Sequence, residues 1–191
     1  GSEMCIRDSL TEGLGLTLYG DYGLNVFNSR SLEYLKGKGL QEACVSFELR
    51  FSQIRDLAKC LPTEAIVYGR LPLMITENCL VQNETGCRLD RQGPCVPEDG
   101  PCRCGQPNVL VDRTGAAFPL LPAYGHRTEI QNSKPLYLAD RPEHRRLGLA
   151  YARLRFTTET AEECVSVVQN YLDAAPAAGD FTRGLYERGV E

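Results

Sequence analysis

Five cysteines, Cys79, Cys87, Cys95, Cys102 and Cys104, fall within 26 residues of a 191-residue chain that holds nine in all. Thiols this dense are either closed into disulfides or converge on a metal, because soft thiolates select zinc, copper(I) or iron–sulfur centres. The chain opens on polar residues without the apolar stretch of a secretory signal. No apolar run approaches the ~20 residues of a membrane span. Nine is an odd number, and Cys5, Cys44, Cys60 and Cys164 are scattered; Cys44 and Cys164 sit in apolar patterns, where a free buried thiol is ordinary. A reduced, cytoplasmic compartment with one metal-binding loop accounts for both groups.

Spacing narrows the metal. Structural zinc sites use paired C-x₂₋₄-C knuckles, whereas this loop offers only the tight Cys102-Arg103-Cys104. Wide, irregular spacing suits a cluster reached from several loop segments. Zinc, or no metal, remains the alternative. His126 is the nearest histidine downstream. The net charge of −4, from 21 basic and 25 acidic residues, argues against a strongly basic nucleic-acid platform.

Before the loop the pattern alternates. Leu14, Leu16 and Leu18 suggest a strand, and Leu24 to Phe27 a second extended piece. Asn28 or Ser29 caps a helix carrying Leu32 and Leu35, which Gly37 and Gly39 end. Ala43 to Phe47 reads as a strand. A helix from about Arg50 presents Phe51, Ile54, Leu57, Ala58 and Leu61 until Pro62. Ala65 to Tyr68 is a buried strand extending towards Met74. Such alternation predicts parallel strands with right-handed crossovers.

Beyond the loop, Val109–Val111 and Phe118–Leu121 flank Asp112-Arg113-Thr114-Gly115 as a hairpin. Pro142 to about Tyr151 reads as helix and Leu154 to Phe156 as strand. Thr160-x-x-Glu163 is a capping box for a helix with Ala161, Cys164, Val165, Val168 and Leu172 on one face. Ala174 to Glu191 reads as a loosely held tail.

Several segments resemble peptidase family U32. They are Gly20-Asp21-Tyr22-Gly23-Leu24-Asn25-Val26-Phe27-Asn28-Ser29, Val45-Ser46-Phe47-Glu48-Leu49, and Tyr68-Gly69-Arg70-Leu71-Pro72-Leu73-Met74 running into Glu77-Asn78-Cys79. Val111-Asp112-Arg113-Thr114-Gly115 with Phe118-Pro119, Asn132-Ser133 with Pro135 to Asp140, and Phe181-Thr182-Arg183-Gly184 continue it to the end of the chain. The resemblance implies a barrel-type α/β domain with a [4Fe–4S] cluster on four cysteines. Relatives of this kind hydroxylate a ribosomal RNA cytidine, a tRNA uridine or the ubiquinone ring without molecular oxygen. Others carry the label of collagenase-like protease. Gly69-Arg70-Leu71-Pro72-Leu73-Met74 looks closest to the longer bacterial members resembling the ribosomal RNA cytidine hydroxylase.

Carried over residue by residue, the resemblance implies Cys79, Cys87 and Cys104 or Cys102 as ligands. His126 stands where the family has its fourth cysteine. Either His126 ligates iron, or Cys95 or Cys102 supplies the fourth thiolate, or the site holds no cluster. Glu48 ends a strand, where a barrel places its active site; it reads as a general base or orienting carboxylate, or simply as a helix-start carboxylate. Arg70 reads as an anion-binding fork or the partner of an acid such as Glu48. Asn25 joins them at the same mouth, while Asp21 more simply forms a turn. His144 reads as part of a solvated helix face. Arg141, Arg145, Arg146, Arg153 and Arg155 either meet RNA phosphates or form a salt-paired surface.

The expected organisation is a leader at 1–9, a βαβαβ part of a (β/α) barrel at 10–78, and a Cys-rich loop with β-hairpin insertion at 79–140. A closing helix–strand–helix follows at 141–175 and a tail at 176–191. The fold class is α/β, the C-terminal strands and helices of a barrel whose first part lies outside this chain and is its expected partner. The expected function is oxygen-independent hydroxylation of an RNA base or small planar ring by an iron–sulfur protein. A collagenase-like endopeptidase and a non-catalytic RNA-binding module with a structural cluster are the alternatives. Neither G-x-S-x-G nor H-E-x-x-H occurs to favour the hydrolase.

Overall fold

The computed structural model describes residues 16–85, 103, 106–123 and 126–188. The chain is mixed α/β and divides into two compact units. One holds the described residues up to 68 with 136–155 and 165–188, the other those of 69–135 and 156–164. The elements are β1 (Leu18–Gly20), α1 (Ser29–Gly37), β2 (Leu40–Cys44), α2 (Phe51–Asp56), β3 (Thr63–Gly69), β4 (Pro72–Thr76), α3 (Leu80–Thr85), β5 (Asn108–Val111), β6 (Ala117–Ala123), β7 (Arg127–Gln131), β8 (Leu136–Tyr137), β9 (Tyr151–Leu154) and α4 (Ala161–Asp173).

In the first unit β1, β2, β3 and β9 run parallel, neighbour to neighbour in chain order, and the short β8 also bonds to β3. Among the described residues this sheet does not close on itself. Every residue of β3 is buried, as befits the central strand of a parallel sheet covered on both faces. A register irregularity between Ile66 and Tyr68 interrupts its ladder with β9. Two tyrosines serve the carbonyls there: Tyr186 Oη donates to Ile66 O (2.6 Å), and Tyr171 Oη donates to Val67 O while accepting from Leu138 N. Their burial holds both phenols well above the usual tyrosine range, so they remain donors.

Local chemistry explains the helices. Asn28 Oδ1 accepts from Ser31 N (2.9 Å) and starts α1. Gly39, with φ of 88°, lets the chain turn out of it. Leu32 and Leu35 are its buried face. α2 stops at Asp56 instead of reaching Leu61, because Lys59 Nζ takes the carbonyls of Ile54 (2.6 Å) and Leu57 and Leu57 turns extended. Gly20 ends β1 where a Cβ would lie 2.8–2.9 Å from the Leu24 and Leu40 side chains.

Three expectations change. The end of the chain is stitched in, not loose: Tyr186 is 1% exposed, stacks on Phe51 at 5.2 Å, and its carbonyl accepts from Phe51 N. Arg183 grips Asp140 (2.5 and 2.7 Å) and the Tyr137 carbonyl. The segment after Pro142 is a short 3-10 turn, Pro142–Arg146, and the strand comes earlier than expected, at Tyr151–Leu154. His144 is 6% exposed rather than solvated, its Nδ1 against the Arg141 carbonyl and its ring edge-on to Tyr171. The capping box of α4 forms, with Thr160 N donating to Glu163 Oε2 (2.7 Å) and Glu163 N to Thr160 Oγ1 (3.3 Å). Its apolar stripe is exposed at Val165, Val168 and Leu172.

The second unit is an antiparallel sheet ordered β4-β7-β6-β5. The expected hairpin is β5–β6. Its loop closes on Asp112 Oδ1, which accepts from Thr114 N (2.7 Å), Thr114 Oγ1 (2.7 Å) and Ala116 N (2.9 Å), with Gly115 at φ of 87°. No helix among the described residues is long and apolar enough to cross a membrane.

Candidate functional site

The end of β4, the residues entering β5 and the start of β7 lie at one end of the second unit's sheet. β4 ends at Thr76 opposite Thr128 of β7. The chain is pinned there: the Asn78 carbonyl accepts from Thr76 Oγ1 (2.6 Å) and Thr128 Oγ1 (3.2 Å), and Leu80 N donates to Thr128 Oγ1 (3.1 Å). Cys79 lies inside this knot and is buried. β7 begins directly after His126, and its first residue, Arg127, faces Ala123 at the end of β6. The chain entering β5 comes from the same end, since Asn108 pairs with Leu120 and its Nδ2 donates to the carbonyls of Arg103 (2.9 Å) and Gln106 (2.7 Å). Arg103 is the residue between Cys102 and Cys104. Antiparallel pairing thus brings the exit of β4, the entry of β5 and the β6–β7 turn together.

His126 has φ of 60°, a left-handed conformation that costs a non-glycine residue energy and marks a turn held by its surroundings. Cys87, Cys95, Cys102 and Cys104 lie outside the described residues. Among the described residues no three His, Cys, Asp or Glu side chains form a metal-holding group. The donor set of thiolates plus one imidazole fits a zinc or iron–sulfur centre.

Asn25 and Glu48 belong to the first unit, at the carboxyl ends of β1 and β2, where parallel α/β sheets carry their sites. The loops after these strands lie side by side, with Val26 bridged to Val45 and Ser46 N donating to Val26 O (3.0 Å). Asn25 is left-handed and closes the 3-10 turn Tyr22–Leu24. Asp21 opens that turn by accepting from Tyr22 N (2.7 Å) and also pairs with Arg153, which reaches Glu64 on β3. Glu48 is half-buried, and its carboxylate has no hydrogen-bond or ion-pair partner among the described residues.

Three residues not singled out for this site share the edge. The rings of Tyr22 and Phe47 are 6.0 Å apart and tilted by 55°. The guanidinium of Arg155, just after β9, lies 5.4 Å from the Tyr22 ring centre and donates to Tyr22 Oη (3.3 Å). An aromatic two residues beyond β1 and another just before Glu48 are the available signals; Tyr22 and Phe47 stand in the sequence reading within segments resembling family U32, and Arg155 in a basic cluster.

The family model for peptidase family U32 matches residues 10–112, more than half of the 191 residues. The chain belongs to peptidase family U32. No curated protein and no solved structure matches it.

The remaining U32 site candidates are placed as follows. Arg70, in the second unit, donates to the carbonyls of Asn132 (3.0 Å) and Ser133 and to Thr158 Oγ1 (3.3 Å). Of the basic residues, Arg141 pairs with Glu187 (3.0 Å), Arg145 donates to Tyr171 O (2.7 Å), and Arg153 and Arg155 are engaged as above. Cys44 is fully buried, and burial followed by the charge of Glu64 pushes its thiol up to about 12. Such a thiol is a core residue and a poor nucleophile.

Proposed function

We propose that this U32 chain is an iron–sulfur protein that takes part in oxygen-independent hydroxylation of an RNA base or a quinone-type ring. The observation carrying the reading is the convergence at one end of the antiparallel sheet. Cys79, the Arg103 segment between two cysteines, and His126 enter from three different connections. Cys79, Cys87 and Cys104 would hold a [4Fe–4S] cluster, with His126, Cys102 or Cys95 as the fourth ligand. Bound there, such a cluster supplies one-electron chemistry, and imidazole ligation would raise its potential. Zinc is the alternative occupant.

The chain-order neighbours β1, β2, β3 and β9 support an arc of a (β/α) barrel rather than a doubly wound sheet, in which strand order reverses. In this reading Glu48 and Asn25 act on the substrate at the strand ends, and Arg70 fixes the loop that its guanidinium spans. The family's name raises peptide hydrolysis as the second reading. Cys44 is too buried for a nucleophile, and the His144 Nδ1 is taken by a carbonyl, so neither supports it.

Anaerobic reconstitution with iron and sulfide tests the proposal. The expected result is a broad visible charge-transfer absorption with about four irons and four sulfides per chain. Stoichiometric zinc and no bound iron would overturn it, as would peptide hydrolysis that survives chelators and is lost on thiol blocking. Loss of a hydroxylated base from the RNA of a deletion strain would identify the substrate side.

A further inference from the structure

The connection from β2 to α2 carries Glu48 and is held from the far end of the chain. Its own fastenings are short-range: Glu48 N donates to Ser46 Oγ (3.3 Å) and Leu49 N to Ser46 O (3.2 Å). The helix that follows, α2, has only six residues, too few to be stable without outside contacts. Arg50, just before it, has no acceptor in its side chain with which to cap it. Phe51 N, the first of α2, donates instead to the Tyr186 carbonyl (2.9 Å), and the Phe51 ring stacks on that of Tyr186 (5.2 Å, 25°). Tyr186 is in turn fixed to the sheet, its Oη donating to Ile66 O of β3 (2.6 Å). The segment around it is docked along its length. Tyr137 N donates to Thr182 O (3.0 Å), Arg183 grips Asp140 (2.5 and 2.7 Å), and Arg141 pairs with Glu187 (3.0 Å). All of these partners belong to the first unit.

We propose that residues 181–187 form a strap that sets the position of the β2–α2 connection, which makes Tyr186 a positioning residue for Glu48. The ring and the carbonyl of Tyr186 hold the start of α2, and Glu48 stands three positions before Phe51. The Tyr186 hydroxyl only anchors the strap to β3. Arg183 and Glu187, on either side of the tyrosine, keep the ring from swinging out. The strap rests on these contacts alone; that the carboxylate it positions meets substrate rests on the proposed function.

Residue-resolved amide hydrogen exchange of the full chain tests it. In Tyr186→Ala the amides of Leu49 and Phe51 should speed up by at least about tenfold beyond any acceleration at Ala43 and Val45, because a connection that loses its clamp opens locally. Ala43 and Val45 are the reference because their amides bond to Pro62 O (3.1 Å) and Glu64 O (2.9 Å), not to the strap. Tyr186→Phe keeps the stacked ring and the carbonyl and should show no such excess. If the alanine variant melts too early to measure, Arg183→Gln, which removes the grip on Asp140 and leaves the buried ring, must show the excess for the strap to stand. Equal acceleration at all four amides, none at Leu49 and Phe51, or the same excess in Tyr186→Phe overturns the proposal. The exchange pattern is read apart from the chemistry. A strain carrying Glu48→Gln that keeps its hydroxylated base sinks only the role given to Glu48. Equal acceleration at all four amides sinks only the strap.

Discussion

The two units solve different problems. The first is a parallel sheet with a central strand buried along its whole length, and several of its polar groups are met from within: phenols on the carbonyls of β3, Arg153 on Asp21 and Glu64, Arg183 on Asp140. The second is a small antiparallel sheet whose edge strands expose Leu73, Met74 and Ile75 on β4 and Val109, Leu110 and Val111 on β5. Among the described residues its buried hydrophobic side chains are Leu71, Cys79, Val81, Leu120 and Ile130. A small core gains most from a bound metal, because metal binding is then folding free energy. The contrast predicts that apolar packing governs the first unit and ligand chemistry the second.

The largest test of that contrast is Cys79→Ser. Nearly all reconstituted iron should be lost, by metal analysis, while the denaturant midpoint of the first unit stays put. Iron retained at the parental level would show that Cys79 is merely a core thiol.

Next is Tyr186→Ala, which should destabilise the first unit by about 3–5 kcal/mol for loss of a buried aromatic. Tyr186→Phe should cost about 1–3 kcal/mol by stranding the Ile66 carbonyl. Urea unfolding read by circular dichroism checks both, and iron uptake by the second unit should change little. A smaller loss in the alanine variant than in the phenylalanine variant would contradict the packing role.

The third test uses pH. Burial holds the His144 imidazole below its ordinary pKa, against the opposing pull of the Arg141 carbonyl. The unfolded chain therefore takes up this proton first, as pH falls through about 6.5. Stability from neutral His144 is present above that pH and is lost as acid approaches the lower folded value. His144→Gln should flatten the fall in urea midpoint between about pH 7.5 and 5.5, a window set by that ordinary pKa. An unchanged slope would place the acid sensitivity elsewhere.

The smallest expected effect is at Asn28. Replacing it with Ala removes the Ser31 cap and should cost about 1 kcal/mol, confined to the first unit. A loss measured equally in iron affinity would break the separation drawn between the units.

Much of the local structure was legible because it rests on local chemistry. Asn28 and Gly39 bracket α1, Thr160 and Glu163 cap α4, and Asp112 with Gly115 closes the β5–β6 loop. Each signal involves residues within a few positions of one another. α2 was read too long because Lys59, a surface residue by type, turns back to take the final carbonyls. His144 was misread because charged neighbours in sequence conceal a ring that Tyr171, distant in the chain, covers. The α4 stripe was read as one apolar face, and its exposure was not a property the pattern could reveal.

By itself, the order of residues determined α1, β2, β3 and α4, the parallel alternation before the cysteines, the hairpin after them, and the family to which the chain belongs. Only the tertiary structure decided that the tail is anchored through Tyr186, that Tyr22, Phe47 and Arg155 meet at one sheet edge, and that the exit of β4 lies beside the entries of β5 and β7. The physical reason is range. Capping, turn formation and periodicity act within about one or two turns of chain, whereas a shared edge depends on hydrogen-bonded register between segments more than a hundred residues apart, such as Tyr22 and Arg155.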